Sequence, residues 1–270
     1  MKTDETGTSA GGIVAFGDEW GLPLILRVCK AAGQRVAVCV YDSKRLGGDW
    51  RPDGFAGHVL AHPKEEERGV FLDKIAEQNP SLGVIVSYSR ILWPQLLDMF
   101  PHGVANIHGG KLPEYRGANV LQWAIINGEE ETAATLHYVD EEVDTGPVID
   151  AVGIEIGLDD TALSLREKMI PATAALLNKW LPKLVSGHCP ATSQGEATAR
   201  SWPRRTPEDG YIDWSTMSDI QVRNLARSLV PPWPQAYYIV EGKKVVFDDV
   251  PSLDEIRALR SKMAYLESSP

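Results

Sequence analysis

Residues 12–41 read GIVAFGDEWGLPLILRVCKAAGQRVAVCVY, and the order of apolar and amphipathic segments in them sets the expected fold class. Two short apolar runs, GIVAF at 12–16 and VAVCVY at 36–41, flank a helical stretch from about Leu22 to Ala32. Apolar runs of this length around an amphipathic helix are typical of two strands joined by a crossover helix. Such strands run parallel in one sheet.

The same alternation continues along the chain. A helical pattern at 65–79 precedes the buried run LGVIVSYS at 82–89, and a helix beginning near Pro94 precedes the run VANI at 104–107. Helices at 118–127 and 161–185 and strands at 133–139 and 148–156 follow. We therefore predict an α/β protein with a doubly wound, mostly parallel sheet.

The composition changes after Gly187. Residues 1–187 are predicted to form one domain, and residues 188–208, rich in Pro, Ser, Thr, Gly and Arg, a connecting loop. Residues 209–270 are predicted to form a small C-terminal α+β subdomain, with a helix near 217–229 and a hairpin turning at Glu241-Gly242.

The bulk composition excludes several classes of protein. A net charge of -10 and a pI near 5.1 disfavour nucleic-acid binding. Three cysteines without CxxC spacing indicate neither a disulfide framework nor a zinc site, and we expect no metal. The opening residues MKTDETGTSA lack the apolar stretch of a signal peptide, and no 18-residue apolar run follows. We expect a cytoplasmic protein without membrane contact.

Three polar residues form a candidate catalytic group. Asn106 and His108 are two positions apart, so they share one face of an extended segment at a predicted strand end. Asp144 lies in the acidic loop DEEVDTG at 140–146. Taken singly, the histidine fits a satisfied core residue and the aspartate fits a turn. Their setting is more informative than either residue alone.

The stretch NIHGGKLPEYRGANVLQWAIINGEEETAATLHYVDEEVDTGPVI, residues 106–149, resembles the formyltransferases that use N10-formyltetrahydrofolate. It contains the pattern N-x-H-x-G-x-L-P-x-Y-R-G, followed by D-T-G. The segments SYSRILWP at 87–94, DGYIDWS at 209–215 and VPPWPQAYYIVEGKKVVF at 230–247 extend the resemblance over most of the chain. It implies a Rossmann-like formyltransferase fold, with the catalytic domain and its folate site in residues 1–187.

The resemblance gives the three polar residues roles that the chemistry supports. Formyl transfer to an amine passes through a tetrahedral oxyanion, and the amine must lose a proton. Asn106 is expected to stabilise the oxyanion, His108 to accept the proton and return it to the folate nitrogen, and Asp144 to orient the imidazole.

The resemblance also implies the binding residues for the co-substrate N10-formyltetrahydrofolate. A pterin pocket is expected along the main chain of two segments, with apolar side chains supplying its faces. The residues are Ser87, Tyr88, Arg90, Ile91, Leu92, Val139, Asp140, Val143 and Asp144. The alternative interpretation of residues 87–92 is an ordinary strand end.

Enzymes similar to this chain formylate different amines. The expected acceptor is a nucleotide-linked 4-amino-4,6-dideoxy sugar, as in lipopolysaccharide O-antigen biosynthesis. The alternatives are an amine of a siderophore or antibiotic precursor and methionyl-tRNA, whose enzymes carry a larger C-terminal domain and basic loops. A folate-binding protein with an inactive site is the non-enzyme alternative.

Possible acceptor contacts are Gly110, Lys111, Tyr115, Arg116, Trp233 and Tyr237. Structural roles compete with this interpretation, because Arg116 equally fits a residue that binds loop carbonyls. For the C-terminal aromatic side chains, packing in the core of a small hairpin is the favoured interpretation over stacking on a nucleotide base. The resemblance further implies a homodimer formed through the C-terminal subdomain.

Overall fold

A computed structural model describes residues 11–268 of the chain. These residues divide into two compact units, each assembled from three stretches of sequence. The first unit contains the residues up to His108, Ala134–Val152 and Ala172–Ala197. The second unit contains Gly109–Ala133, Gly153–Pro171 and the chain from Thr198 onward. The linear domain boundaries expected from composition stay a prediction.

The strands and helices are numbered in chain order. The strands are β1 (Gly12–Gly17), β2 (Val36–Tyr41), β3 (His58–Ala61), β4 (Pro80–Val86), β5 (Val104–His108), β6 (Arg116–Gly117), β7 (Glu131–Tyr138), β8 (Val148–Glu155), β9 (Ser201–Trp202), β10 (Tyr237–Val240) and β11 (Lys243–Val246). The helices are α1 (Gly21–Ala31), α2 (Ser43–Leu46), α3 (Arg68–Ala76), α4 (Pro94–Leu97), α5 (Val120–Ile126), α6 (Ala162–Val185), α7 (Asp219–Ser228) and α8 (Leu253–Ser268). Among the described helices, none is long and apolar enough to cross a bilayer.

Seven strands form one sheet in the order β3-β2-β1-β4-β5-β7-β8. Strands β1 to β5 pair in parallel, and β7 pairs antiparallel to β5. Every residue of β1 is buried, as are all but the first residues of β2 and β4. Strands buried on both faces need continuous apolar runs, which explains the sequence pattern. The prediction of a mostly parallel α/β sheet is confirmed.

The strand order reverses between β1 and β4. The chain runs outward from β1 to β3 and returns with β4 on the other side of β1. In open α/β sheets, ligands bind outside the carboxyl ends of the strands at such a reversal. Asp18 follows β1 and Ser87 follows β4 at this point, and His108 ends the neighbouring strand β5. The topology of the first unit therefore brings the predicted folate segment and His108 to one edge of the sheet.

The second unit has its own core, formed by α7, α8 and the hairpin β10-β11. Its buried members include Ile212, Val222, Leu225, Tyr238 and Ile256. Each such side chain contributes about 1.5–3 kcal/mol when fully buried. The prediction of a small C-terminal α+β part is confirmed.

Strand β3 and helix α8 are among the elements that the sequence-based prediction lacks. Strand β3 is short and only partly buried, so it lacks a strong apolar pattern. Helix α8 begins at a capping box, in which Ser252 Oγ accepts from the Glu255 backbone at 3.3 Å and the Glu255 carboxylate accepts from the Ser252 backbone at 2.8 Å. The spacing S-x-x-E is therefore the sequence signal for this helix.

Candidate active site

The carboxyl end of β5 and the loop after β7 bring the three predicted catalytic side chains together in the first unit. His108 Nδ1 lies 3.4 Å from Asp144 Oδ2, and Asn106 Nδ2 donates to Asp144 Oδ1 at 3.5 Å. His108 is only 7% exposed. The strand explains the shared face, since Asn106 and His108 are two positions apart along β5. Their catalytic roles stay a prediction.

Backbone geometry explains the D-T-G spacing. Asp144 has a φ of +57°, a left-handed conformation that costs a non-glycine residue about 1 kcal/mol or more. Gln194 Nε2 donates to the carbonyl oxygens of Asp144 and Gly146 at 2.9 and 2.7 Å, which fixes the loop. A Cβ atom on Gly146 would lie 1.9 Å from the carbonyl oxygen of Tyr138. This position therefore requires glycine, and the glycine in turn allows the loop to place Asp144.

A second histidine, which sequence reasoning missed, lies against this group. His137 is 1% exposed and is the cross-strand partner of Asn106 in the β5-β7 pair. Its Nε2 lies 3.1 Å from Asn106 Nδ2 and 3.5 Å from Asp144 Oδ1. The available signal is the spacing of Thr135 and His137 in an apolar strand, because buried polar side chains two positions apart share one face and need partners.

The first two side chains of the predicted folate segment bind residues that follow β1 and β3. Ser87, with a φ of +54°, donates from Oγ to Asp18 Oδ2 at 2.6 Å. The Tyr88 hydroxyl lies 2.7 Å from His62 Nδ1. Burial, aided by the nearby Arg90, lowers the pKa of His62 to about 4. Burial also raises the pKa of Asp18, against the hydrogen bonds that it accepts.

The next two side chains bind Asp42, the residue after β2. Ser89 Oγ donates to Asp42 Oδ2 at 2.8 Å, and Arg90 Nη2 donates to Asp42 Oδ1 at 2.8 Å. Burial alone would raise the pKa of Asp42, but the hydrogen bonds from Arg90, Ser89 and a backbone N–H outweigh it and lower the pKa. The four side chains of residues 87 to 90 thus all contact other side chains of the protein. A role of this segment in folate binding stays a prediction, and it would fall to the main chain.

The remaining predicted folate residues divide between surface and core. Ile91 is 70% exposed and Val143 is 48% exposed, so both present apolar surface. Leu92 is buried in the core cluster of the first unit, and Val139 packs against that cluster. The Asp140 carboxylate accepts a hydrogen bond of 2.6 Å within its own loop.

The predicted acceptor residues all belong to the second unit, where two of them have strong local contacts. Lys111 Nζ donates to Glu131 Oε1 at 2.8 Å, which raises the pKa of Lys111. The Tyr115 ring stacks on Trp202 with centroids 5.3 Å apart, and its hydroxyl donates to Glu129 at 2.7 Å. Burial raises the pKa of Tyr115 to about 12.

The other acceptor candidates differ in exposure. Arg116 is 6% exposed and lies on β6, which pairs with β9, and Gly110 is also buried. Trp233 and Tyr237 are partly exposed, and Lys244 Nζ lies 3.9 Å from the Tyr237 ring centroid. A role for any of these residues in acceptor binding stays a prediction.

Comparison with protein families decides the class. Residues 28–181 match the formyl transferase family, and residues 204–259 match the formyl transferase C-terminal domain. The chain belongs to the formyl transferase family. The predicted membership is therefore confirmed, and the chain is an enzyme that transfers formyl groups.

Solved structures share the fold of this formyl transferase. A 4-N formyltransferase from Francisella tularensis is 17% identical with a TM-score of 0.71, and the match covers 90% of this chain and 99% of that one. An N-formyltransferase from Helicobacter canadensis, in complex with folinic acid and dTDP-3-aminofucose, is 18% identical with a TM-score of 0.62, covering 88% and 86%. A methionyl-tRNA formyltransferase from Clostridium thermocellum is 18% identical with a TM-score of 0.60, covering 88% and 97%. At these identities the likeness shows the fold and leaves the acceptor open.

Proposed function

We propose that this formyl transferase moves the formyl group of N10-formyltetrahydrofolate to the primary amine of a nucleotide-linked amino sugar. The observation that carries the proposal is the contact of His108 with Asp144 beside Asn106, at the carboxyl end of β5. These three groups supply a base, an orienting carboxylate and an oxyanion donor within one site.

His108 acts as the proton carrier. Because an ionised carboxylate only accepts hydrogen bonds, the Nδ1 atom facing Asp144 carries the hydrogen, and the Nε2 atom of the neutral ring keeps its lone pair. Nε2 therefore accepts the proton of the attacking amine. The 3.4 Å contact is long for a hydrogen bond. Such contacts often tighten when substrates bind.

Attack forms a bond between the amine nitrogen and the formyl carbon and places negative charge on the formyl oxygen. An N–H of Asn106 stabilises this oxyanion. Asp144 favours the imidazolium form of His108 that arises at the same time. Collapse breaks the bond from carbon to N10, His108 returns its proton to N10, and the products are tetrahydrofolate and a formamide.

The folate is bound by the segments 87–92 and 139–144. Since side chains 87–90 bind protein groups, recognition of the pterin falls to main-chain N–H and C=O groups, whose donors and acceptors match a flat heterocycle. The exposed side chains of Ile91 and Val143 supply apolar contact.

Two observations support the nucleotide-sugar acceptor. The Helicobacter canadensis enzyme, which shares the fold, was solved with folinic acid and dTDP-3-aminofucose. The net charge of -10 opposes a long phosphate backbone much more than a single nucleoside diphosphate. The corresponding biological setting is lipopolysaccharide O-antigen synthesis in the cytoplasm. We propose that the enzyme acts there as a homodimer, and light scattering measures this oligomeric state.

The acceptor is tested by incubating the protein with N10-formyltetrahydrofolate and single amines, and measuring tetrahydrofolate release. The panel contains dTDP-linked and UDP-linked amino sugars, hydroxylamine-type siderophore precursors and methionyl-tRNA. Release with an amino-sugar nucleotide alone supports the proposal, and release with methionyl-tRNA alone contradicts it. Folate binding without release for any amine favours an inactive folate-binding protein.

A further inference from the structure

Asn106 and His137 face each other across the antiparallel pair β5-β7. The two residues are register partners, and Asn106 Nδ2 lies 3.1 Å from His137 Nε2. His137 is 1% exposed, so water does not compete for its ring. Two nitrogens at this distance attract only if one donates and the other accepts.

The other ring nitrogen of His137 decides the direction. Nδ1 lies 2.7 Å from the carbonyl oxygen of Tyr138. Because a carbonyl oxygen only accepts, Nδ1 carries the hydrogen, and in the neutral ring Nε2 is then the acceptor. Asn106 therefore donates one amide proton to His137. Turning the amide over would place its oxygen against the lone pair of Nε2, which is unfavourable.

The second amide proton of Asn106 is held more weakly. It faces Asp144 Oδ1 across 3.5 Å, near the outer limit of a hydrogen bond. The shorter contact with His137 therefore fixes the plane of the amide, while the second N–H can turn to another acceptor at little cost. An oxyanion formed beside Asn106 is such an acceptor.

We propose that His137 is a positioning residue for formyl transfer. Its Nε2 anchors one proton of the Asn106 amide, so that the other is presented to the formyl oxygen as charge develops there. Its Nδ1–H, bound to the Tyr138 carbonyl, keeps the ring in the tautomer that can do this. The inference rests on the proposed function, and it assigns His137 an effect exerted through Asn106.

Two matched variants separate the roles of the two ring nitrogens. In His137→Gln the side-chain oxygen can occupy the place of Nε2 and accept from Asn106. In His137→Asn the shorter amide can occupy the place of Nδ1 and donate to Tyr138, but it does not reach Asn106. We expect His137→Asn to lower kcat by about 10- to 100-fold, below the 10²- to 10³-fold typical of losing an oxyanion donor outright. His137→Gln should recover most of this loss.

The test combines kinetics with a double-mutant cycle. KM for folate and for the acceptor should stay within about threefold in both variants, because the hydrogen bond from Asn106 to His137 has its effect in the transition state. In an Asn106→Ala background, His137→Asn should change kcat less than about twofold, since two residues that act through one contact are not additive. Full additivity, or a Gln variant no faster than the Asn variant, overturns the proposal.

A tautomer measurement keeps the inference testable without turnover. Long-range ¹H–¹⁵N correlation spectra of the full chain report which ring nitrogen of His137 carries the proton. The His137 signal is identified by its absence from the spectrum of His137→Asn. The Nδ1–H tautomer supports the arrangement, and the Nε2–H tautomer overturns it. If the wild-type protein formylates no amine, the proposed function fails, and this spectrum alone decides whether His137 anchors Asn106.

Discussion

Arg90 contacts Asp42 through two nitrogens: Nη2 donates to Oδ1 at 2.8 Å, and Nε lies 2.8 Å from Oδ2. Arg90 belongs to the predicted folate segment, and Asp42 follows β2. The pair therefore fixes the position of a segment whose main chain is expected to bind the pterin.

Replacing Arg90 tests this positioning. Arg90→Lys keeps the charge but cannot reproduce the planar two-nitrogen contact. We expect KM for N10-formyltetrahydrofolate to rise about 10-fold with kcat little changed, since a hydrogen bond to a charged group contributes about 1.5–3 kcal/mol. Arg35→Lys is the matched control, because Arg35 makes an exposed 3.4 Å contact with Gln78. Equal folate KM values for wild type and Arg90→Lys would refute the positioning role.

Gly146→Ala tests the steric origin of the D-T-G spacing. Its Cβ would lie 1.9 Å from the Tyr138 carbonyl oxygen, so the loop carrying Asp144 must shift. We expect the free energy of unfolding to fall by about 1–3 kcal/mol, as for other overpacked sites, and turnover to fall with it. Urea unfolding and the rate of tetrahydrofolate release measure the two effects. The control is Gly153→Ala, where the added Cβ would meet no atom within 4 Å. Similar stabilities for the two variants would be inconsistent with the steric argument.

His62 predicts a pH dependence of stability. Its pKa is lowered from 6.5 to about 4 in the folded protein, mainly by burial. Between these values the unfolded chain binds a proton that the folded protein does not, so the free energy of unfolding decreases as pH falls from 6.5 towards 4. Above pH 6.5 the contribution of His62 to the free energy of unfolding does not change with pH.

The measurement is the difference in urea-unfolding free energy between wild type and His62→Gln at several pH values. The glutamine keeps a polar group near the Tyr88 hydroxyl but does not titrate. We expect wild-type stability to fall more steeply than variant stability in this window, while other titrating groups cancel in the difference. Parallel curves would show that His62 takes up its proton equally in both states.

The core of the fold was predictable for a physical reason. Strands β1, β2 and β4 are buried on both faces, so their sequences are unbroken apolar runs that need no knowledge of partners. Strand β3 is a partly exposed edge strand with a weaker pattern. Helix α8 has a readable start at Ser252 and Glu255, but only a narrow apolar face containing Ile256 and Met263.

The site was predictable only where its pattern is local. Asn106 and His108 are two positions apart, and Asp144 lies in a motif with its glycine. The spacing of Thr135 and His137 indicates a polar face in an apolar strand, but only the β5-β7 register places His137 opposite Asn106. Likewise, the partners of Ser87 and Arg90 lie 69 and 48 positions away, so the sequence does not show that these side chains are already bound.

The most direct test of the central claim is transfer of a ¹³C-labelled formyl group from N10-formyltetrahydrofolate to an amino-sugar nucleotide, followed by NMR for wild type, His108→Ala and Asp144→Ala. We expect the label to appear as a sugar formamide with the wild type. In both variants the rate should be about 10²- to 10⁴-fold lower, the range of a lost general base, with folate affinity within a few-fold. Label that stays on the folate with the wild type, or moves equally fast in the variants, would contradict formyl transfer by His108 and Asp144.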